Sequence, residues 1–362
     1  MKIGIITFHF VPNHGAVLQC HALQTYLEKL GHSVFVVNYQ PTYHTIRYEK
    51  SKNPIQYANW FYKRDRREKP VKRVIGYGRS FMRGMALNLQ GTDGKVMECF
   101  ENYTKKHLHL TKKYTSLKEL CKDAPEADLY ITGSDQLWNP ELLDHALDPA
   151  YFLYFGGEKV FRASYAISLG KKQDEAYYRE VAGLIKRLDQ VSIREECKEL
   201  NAIVEKELPV CIDPVFLLDA KEYESFEVDC GQKEPYIFVF GFETTKELND
   251  AVKQAADRHG CKVVNGSPHR IRLEIPCEKI RAYGPGEFLS LIKNAKLIVT
   301  NSIHATAFSI LYQKNFVTVP HSTRGLRMNH LLAGLGLEKN SYGNPAFDPA
   351  ATTDWDRVAE KI

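Results

Sequence analysis

Thr300-Asn301-Ser302-Ile303-His304 closes the apolar run Leu297-Ile298-Val299 and opens a stretch with helical spacing. In an open α/β sheet, ligands collect where a strand ends and the next helix begins. Free peptide N–H groups at that helix end attract an anion, and an imidazole beside them can carry a proton. Asn301 and Ser302 also have an ordinary use as caps of the same helix. Three further polar clusters stand where strands should end. Gly133-Ser134-Asp135-Gln136-Leu137-Trp138-Asn139 joins planar hydrogen-bonding groups to an aromatic face, a mixture that holds sugars, although a capped turn would use some of the same residues. Ser164-Tyr165-Ala166-Ile167-Ser168-Leu169-Gly170 offers Ser168 either to a cleft or to a turn. Val191-Ser192-Ile193-Arg194 puts a guanidinium after a short strand. There it can fork onto a carboxylate or phosphate, or pair with Glu195, Glu196 or a neighbouring helix.

These clusters need elements to position them, and the chain supplies a strand–helix rhythm. Lys2 to Phe8 reads as a buried first strand, Pro12 to Ala16 as a turn, and Ala16, Cys20, Leu23, Leu27 and Leu30 as one face of a helix. Ser33 to Tyr39 is the second strand, which completes a right-handed βαβ unit. Asn13-His14-Gly15 lies where such a unit approaches a ligand, but it is not the glycine pattern of a dinucleotide site. Strands are expected at 127–133, 162–167, 190–193 and 210–212, with a helix from about Asp174 to Leu188. A polar boundary at 219–235 separates this half from a second rhythm: strands at 236–241, 262–265, 297–300 and 316–320, and helices at 245–259, 286–295 and 304–312. The expected fold is α/β, with two Rossmann-like domains facing a cleft in the manner of the glycosyltransferase-B type. The first domain spans 1–220 with a basic, partly helical insertion at 44–115, the second spans 235–340, and a tail and helix follow at 341–362.

Composition narrows the function classes. With 362 residues, 44% hydrophobic and 26% charged, the chain has globular character and room for two cores. Eight cysteines without a C-x-x-C pair fit reduced thiols in a cytoplasmic protein rather than a zinc or redox motif. Neither a signal peptide nor a membrane span is visible in the sequence, and the histidine spacing fits no metal site. Charge is uneven: residues 44–115 carry 17 Lys and Arg against 6 Asp and Glu, while the whole chain is only +5. This segment is either a solvated face or a peripheral contact with an anionic membrane or a diphosphate-linked substrate. No nucleic-acid motif accompanies it.

Taken in order, several pieces resemble the polysaccharide pyruvyl transferase family. They are Asn13-x-Gly15-Ala16, Asp128 leading into Gly133-Ser134-Asp135-Gln136-x-Trp138-Asn139, Ser164-Tyr165-Ala166-x-Ser168-x-Gly170, Ser192-x-Arg194-Glu195, Asp213-Pro214-Val215-Phe216-Leu217-Leu218, Glu287-Phe288-Leu289 and Thr300-Asn301-Ser302-x-His304 with Phe308-Ser309. The resemblance implies transfer of pyruvyl from phosphoenolpyruvate to a sugar as a cyclic ketal. It also implies work on capsule or exopolysaccharide precursors, often lipid-diphosphate-linked oligosaccharides, in the cytoplasm at the inner face of the membrane. No cofactor or metal is required; phosphoenolpyruvate is a substrate.

That chemistry needs cations for the donor and an acid and a base for proton movement. His304 is the expected acid–base group and Asp135 the expected base for the sugar hydroxyl. Donor contacts are expected from Arg194, Asn301 and Ser302. Some members have an arginine where Ser302 stands, so the missing cation must come from elsewhere, Arg194 first, then Arg324 and Arg327. Acceptor contacts are expected from Asn13, Gly15, Ser134, Gln136, Trp138, Asn139 and Ser168. Two other readings compete: a nucleotide-sugar-dependent glycosyltransferase on the same architecture, and a non-catalytic carbohydrate- or membrane-binding protein.

Overall fold

The computed structural model describes residues 1–45, 55, 58, 59, 62, 70–90, 92–143, 146–268, 271–322, 325–348 and 353–361. Two all-parallel sheets organise them. The first contains β1 (Lys2–Ile6), β2 (Ser33–Val36), β3 (Leu129–Asp135) and β4 (Phe161–Ile167) in the order β2-β1-β3-β4. The second contains β5 (Tyr236–Phe240), β6 (Lys262–Asn265), β7 (Glu278–Lys279), β8 (Leu297–Thr300) and β9 (Phe316–Thr318) in the order β7-β6-β5-β8-β9. Helices return the chain between parallel neighbours, so the central strands are buried on both faces and read as apolar runs. Every residue of β5 and β8 is buried. The expected α/β class with two Rossmann-like halves is the fold observed.

Several expected elements change in ways that matter for the site. β3 runs on to Asp135, so Ser134 and Asp135 lie within the strand end. The expected strands at 190–193 and 210–212 are reduced to single bridges, Ala163 with Gln190, Ile167 with Ile193 and Ile193 with Val210. They still extend the first sheet: Arg194 N donates to Ile167 O at 2.8 Å and Cys211 N to Ile193 O at 2.8 Å. Among the described residues of the basic insertion are the helices Pro70–Gln90 and Thr92–His107. At the other end of the chain, Ser341 bridges Thr318 beside β9.

The halves are joined through a shared core. The His14–Lys29 helix follows β1 in sequence, but Val17, Leu18 and Ala22 pack in a cluster with Phe238, Phe240, Phe288 and Phe308 of the second half. Its first residue, His14, is buried between Tyr283 and Phe288, with ring centroids 4.6 and 4.7 Å away and interplanar angles of 22° and 23°. Among the described residues neither ring nitrogen has an aligned hydrogen-bond partner, and a backbone contact at Tyr283 only partly offsets the burial. Burial therefore favours the neutral imidazole and lowers its pKa to about 3. Below the ordinary value of 6.5 the unfolded chain takes up a proton that the folded chain refuses, so this stability is complete above 6.5 and falls as the pH drops toward 3. His14→Phe keeps the ring stack and should remove about 2.5 kcal/mol of the stability lost between roughly pH 7.5 and 4.5. Urea unfolding of both proteins at the two pH values measures this; equal losses would show that His14 does not carry the effect.

Candidate active site

Three polar side chains from distant parts of the chain, Arg194, Asp213 and His304, meet at the carboxyl ends of the two sheets. Arg194 follows the bridge that extends β4, and Asp213 lies just beyond the adjoining segment. Arg194 Nη2 is 2.8 Å from Asp213 Oδ2, with the two side chains only 6% and 10% exposed. His304 comes from the other half, in the first turn of the Ile303–Leu311 helix, and its Nε2 lies 3.2 Å from the same Oδ2. That approach brings the groups together without aligning a hydrogen bond. Asp213 Oδ1 is occupied separately, accepting from Val215 N at 3.1 Å as cap of the Pro214–Leu217 turn.

The electrostatics follow from this placement. Burial alone would raise the Asp213 pKa; the Arg194 guanidinium, then His304, outweigh burial and hold the carboxyl well below the ordinary carboxylate range. Arg194 Nη2 also donates to Ser134 Oγ. Its Nε and Nη1 are buried without partners among the described residues. A guanidinium with two unused donors beside a cavity is equipped to fork onto an anionic oxygen pair.

Two helix starts converge on the same imidazole. A Cβ placed on Gly15 would lie 2.1 Å from both Cγ and Nδ1 of His304, so only glycine lets the His14–Lys29 helix seat that ring. The helices are capped by Asn13, whose Oδ1 accepts from Ala16 N at 3.3 Å, and by Ser302, whose Oγ accepts from Ala305 N at 3.4 Å. Their positive ends favour an anion nearby. His304 and Ile303 border two cavities. The larger, about 470 Å³, is lined by Arg194, Glu196, Cys211, Asp213, Phe216 and Leu331 among others. The smaller, about 120 Å³, is lined by Asn13, Asp135, Gln136, Asn301, Ser302 and His321 among others.

Gly15→Ala should therefore displace the His304 ring. The imidazole resonances should shift, and turnover should fall about 100-fold, the scale of a 1 Å misplacement. Unchanged resonances would show that the ring is seated by other contacts.

The expected site residues divide clearly. His304, Arg194, Asp135, Asn13, Asn301, Ser302 and Gln136 border one cavity or the other. Asp135 sits at the end of β3 with φ of 75°, a left-handed conformation that aspartate tolerates better than most residues. Arg194 pairs with Asp213, not with Glu195, which instead accepts from Ser168 Oγ and Leu169 N, both at 2.9 Å. Asn301 is committed to the backbone, accepting from Phe242 N at 2.8 Å and donating to Glu243 O at 3.1 Å. Ser302 serves as the helix cap.

Five acceptor expectations need correction. Trp138 is fully buried, stacked on Phe152 at 4.8 Å and donating to Tyr151 O, so its face is core and not a platform. Asn139 is buried in a turn, donating to Gln136 Oε1 at 2.8 Å and accepting from Glu141 N at 3.1 Å. Ser168 is turned to Glu195, and Gly15 is filled by His304. Ser134 is also fully buried and reaches the site only through Arg194. Arg324 and the side chain of Arg327 lie outside what is described.

Asp213 is the residue the sequence reading missed. Its signal was an acid directly after the apolar Val210-Cys211-Ile212 run and before proline, the same strand-end position that drew notice to His304.

A family model described as Polysaccharide pyruvyl transferase matches residues 13–323, a span holding Asn13, Arg194, Asp213 and His304. The chain belongs to the polysaccharide pyruvyl transferase family. It is thus a transferase of polysaccharide biosynthesis. No curated protein matches it. Solved structures similar to the transferase include Staphylococcus aureus MnaA with UDP, at 12% identity and TM-score 0.49 over 99% of this chain and 86% of that one. Another is UDP-N-acetylglucosamine 2-epimerase from Rickettsia bellii, at 11% identity and TM-score 0.48 over 99% and 92%. A third is Escherichia coli heptosyltransferase WaaC with ADP, at 10% identity and TM-score 0.41 over 89% and 88%.

Proposed function

We propose that the transferase moves pyruvyl from phosphoenolpyruvate onto two hydroxyls of a sugar in a cell-surface polysaccharide precursor, carried on a lipid diphosphate at the inner face of the membrane. The observation that carries this reading is the meeting of Arg194, Asp213 and His304 between two cavities, within a chain of this family. Arg194 Nε and Nη1 hold the donor carboxylate or phosphate, with the two helix starts adding to the positive field. His304 delivers a proton to the donor methylene carbon, and the adjacent carbon becomes electrophilic. One sugar hydroxyl attacks that carbon and gives its proton to Asp135. The carbon–oxygen bond to phosphate then breaks and phosphate leaves with the bridging oxygen; the second hydroxyl closes the ketal and returns its proton to His304, while the proton on Asp135 passes to the departing phosphate. The balance is one phosphoenolpyruvate and one diol to one ketal and one phosphate.

Asp213 acts through the other two groups, holding the guanidinium by its ion pair and keeping a negative charge beside the imidazole. Incubating the enzyme with phosphoenolpyruvate and lipid-diphosphate-linked sugars tests the reaction by mass spectrometry. The expected product has gained one pyruvate less one water, with equimolar phosphate released. Sugar transfer from a nucleotide sugar, without any ketal, would overturn the reading in favour of a glycosyltransferase.

A further inference from the structure

The Pro70–Gln90 helix carries a pattern that the transfer reaction does not use. Its 21 residues span about 31 Å at 1.5 Å each. Val71, Val74, Ile75, Met82 and Met85 are between 41% and 71% exposed. At 100° per residue these five positions, with Gly78 among them, fall on one face. The opposite face is the packed one: Arg73 lies over the Tyr62 ring at 4.2 Å and donates to Tyr62 O at 3.1 Å, while Tyr77 meets the same ring edge-on at 6.1 Å. The exposed residues Lys72 and Arg79 flank the apolar stripe, and no Asp or Glu occurs between Pro70 and Gln90. A contiguous exposed apolar stripe on a folded chain marks a contact surface.

We propose that this helix lies flat on an anionic lipid bilayer, its apolar stripe in the acyl boundary and its basic flank among the headgroups. Charge selects that occupant. An apolar face bordered by cations, on a helix whose own sequence holds no acid, is the pattern of an interfacial helix. A second copy of this chain would bring basic flank against basic flank, which repels. No described helix is long and apolar enough to cross a membrane, so this contact is one of lying on the surface. It would hold the enzyme where a lipid-linked acceptor is presented, but it does not depend on the transfer reading.

The test is sedimentation of the full chain with sucrose-loaded vesicles of phosphatidylcholine, with or without phosphatidylglycerol, in the absence of substrates. Its failure would therefore leave the transfer reading untouched. Binding is expected to vesicles containing phosphatidylglycerol, to be at least tenfold weaker to pure phosphatidylcholine, and to fall with added salt. Lys72→Gln with Arg79→Gln should weaken it about 25-fold, about fivefold for each charge. Val74→Ser with Met82→Ser, both at exposed positions, should also release the protein while leaving thermal unfolding unchanged. No binding to anionic vesicles, or equal binding by both double variants, would overturn the proposal. So would sedimentation velocity showing a dimer that Val74→Ser with Met82→Ser dissociates, because the stripe would then be covered by a second copy.

Discussion

His304→Gln is expected to lower turnover by about 10²–10⁴-fold, the range for losing a positioned general acid. Glutamine has a similar reach and can still lie against Gly15, so the helix start and its Ser302 cap should persist. The folded protein should keep its circular dichroism spectrum. Affinity for phosphoenolpyruvate, measured by calorimetry, should change little because Arg194 and its Asp213 partner remain. This separation is the informative result: a loss confined to turnover places the imidazole in proton transfer, whereas weaker donor binding with unchanged turnover would make it a binding group. Turnover within a factor of ten of the parent enzyme would remove His304 from the chemistry altogether.

Asp213→Ala is expected to cost about 3–5 kcal/mol of stability, the usual penalty for removing one member of a buried ion pair. A guanidinium stays charged in any protein environment. With the carboxylate gone, Arg194 would remain buried with Ser134 Oγ as its protein partner. The double variant Arg194→Met with Asp213→Leu should recover most of that loss, since apolar replacements relieve the desolvation of both charges, yet it should stay inactive. Urea unfolding of the three proteins decides the matter. A loss below about 1 kcal/mol in the single variant would mean that the pair behaves like an exposed one. The pH sign also follows. The folded Asp213 carboxyl ionises below its ordinary value of 3.8, so its contribution is present above that value and is lost as the pH falls through it and below.

Much of this site was legible because strand ends announce themselves. An apolar run stopping at Thr300, with a capping pair and a histidine behind it, needs only local rules to be read. The same rules placed Arg194 correctly at a sheet end. They failed for Trp138, because residue types that can hold a sugar are also those that close a core, and burial is set by Phe152 and Tyr151, which the loop itself does not reveal. They failed again for Asp213 and for the seating of His304 on Gly15. Those contacts join segments far apart in sequence and arise only when the halves pack. In the insertion, counting charges drew attention to residues 44–115 as a whole but hid the spacing of Val71, Val74, Ile75, Met82 and Met85. A basic stretch and an amphipathic helix look alike until the apolar positions are placed on a helical face.

The His14–Lys29 helix also sets an order on the birth of the protein. Chains emerge from the ribosome amino end first, and domains tend to fold as units while they do so. This helix is made before the second half, and Val17, Leu18 and Ala22 share their core cluster not only with Phe100, Val215 and Phe216 but with Phe288 and Phe308, which are synthesised much later. Until then the part of that apolar flank turned to the second half stays uncovered. The interval between the two is when the nascent chain is most open to chaperone capture or to aggregation, and slowing translation beyond Leu218 would lengthen it.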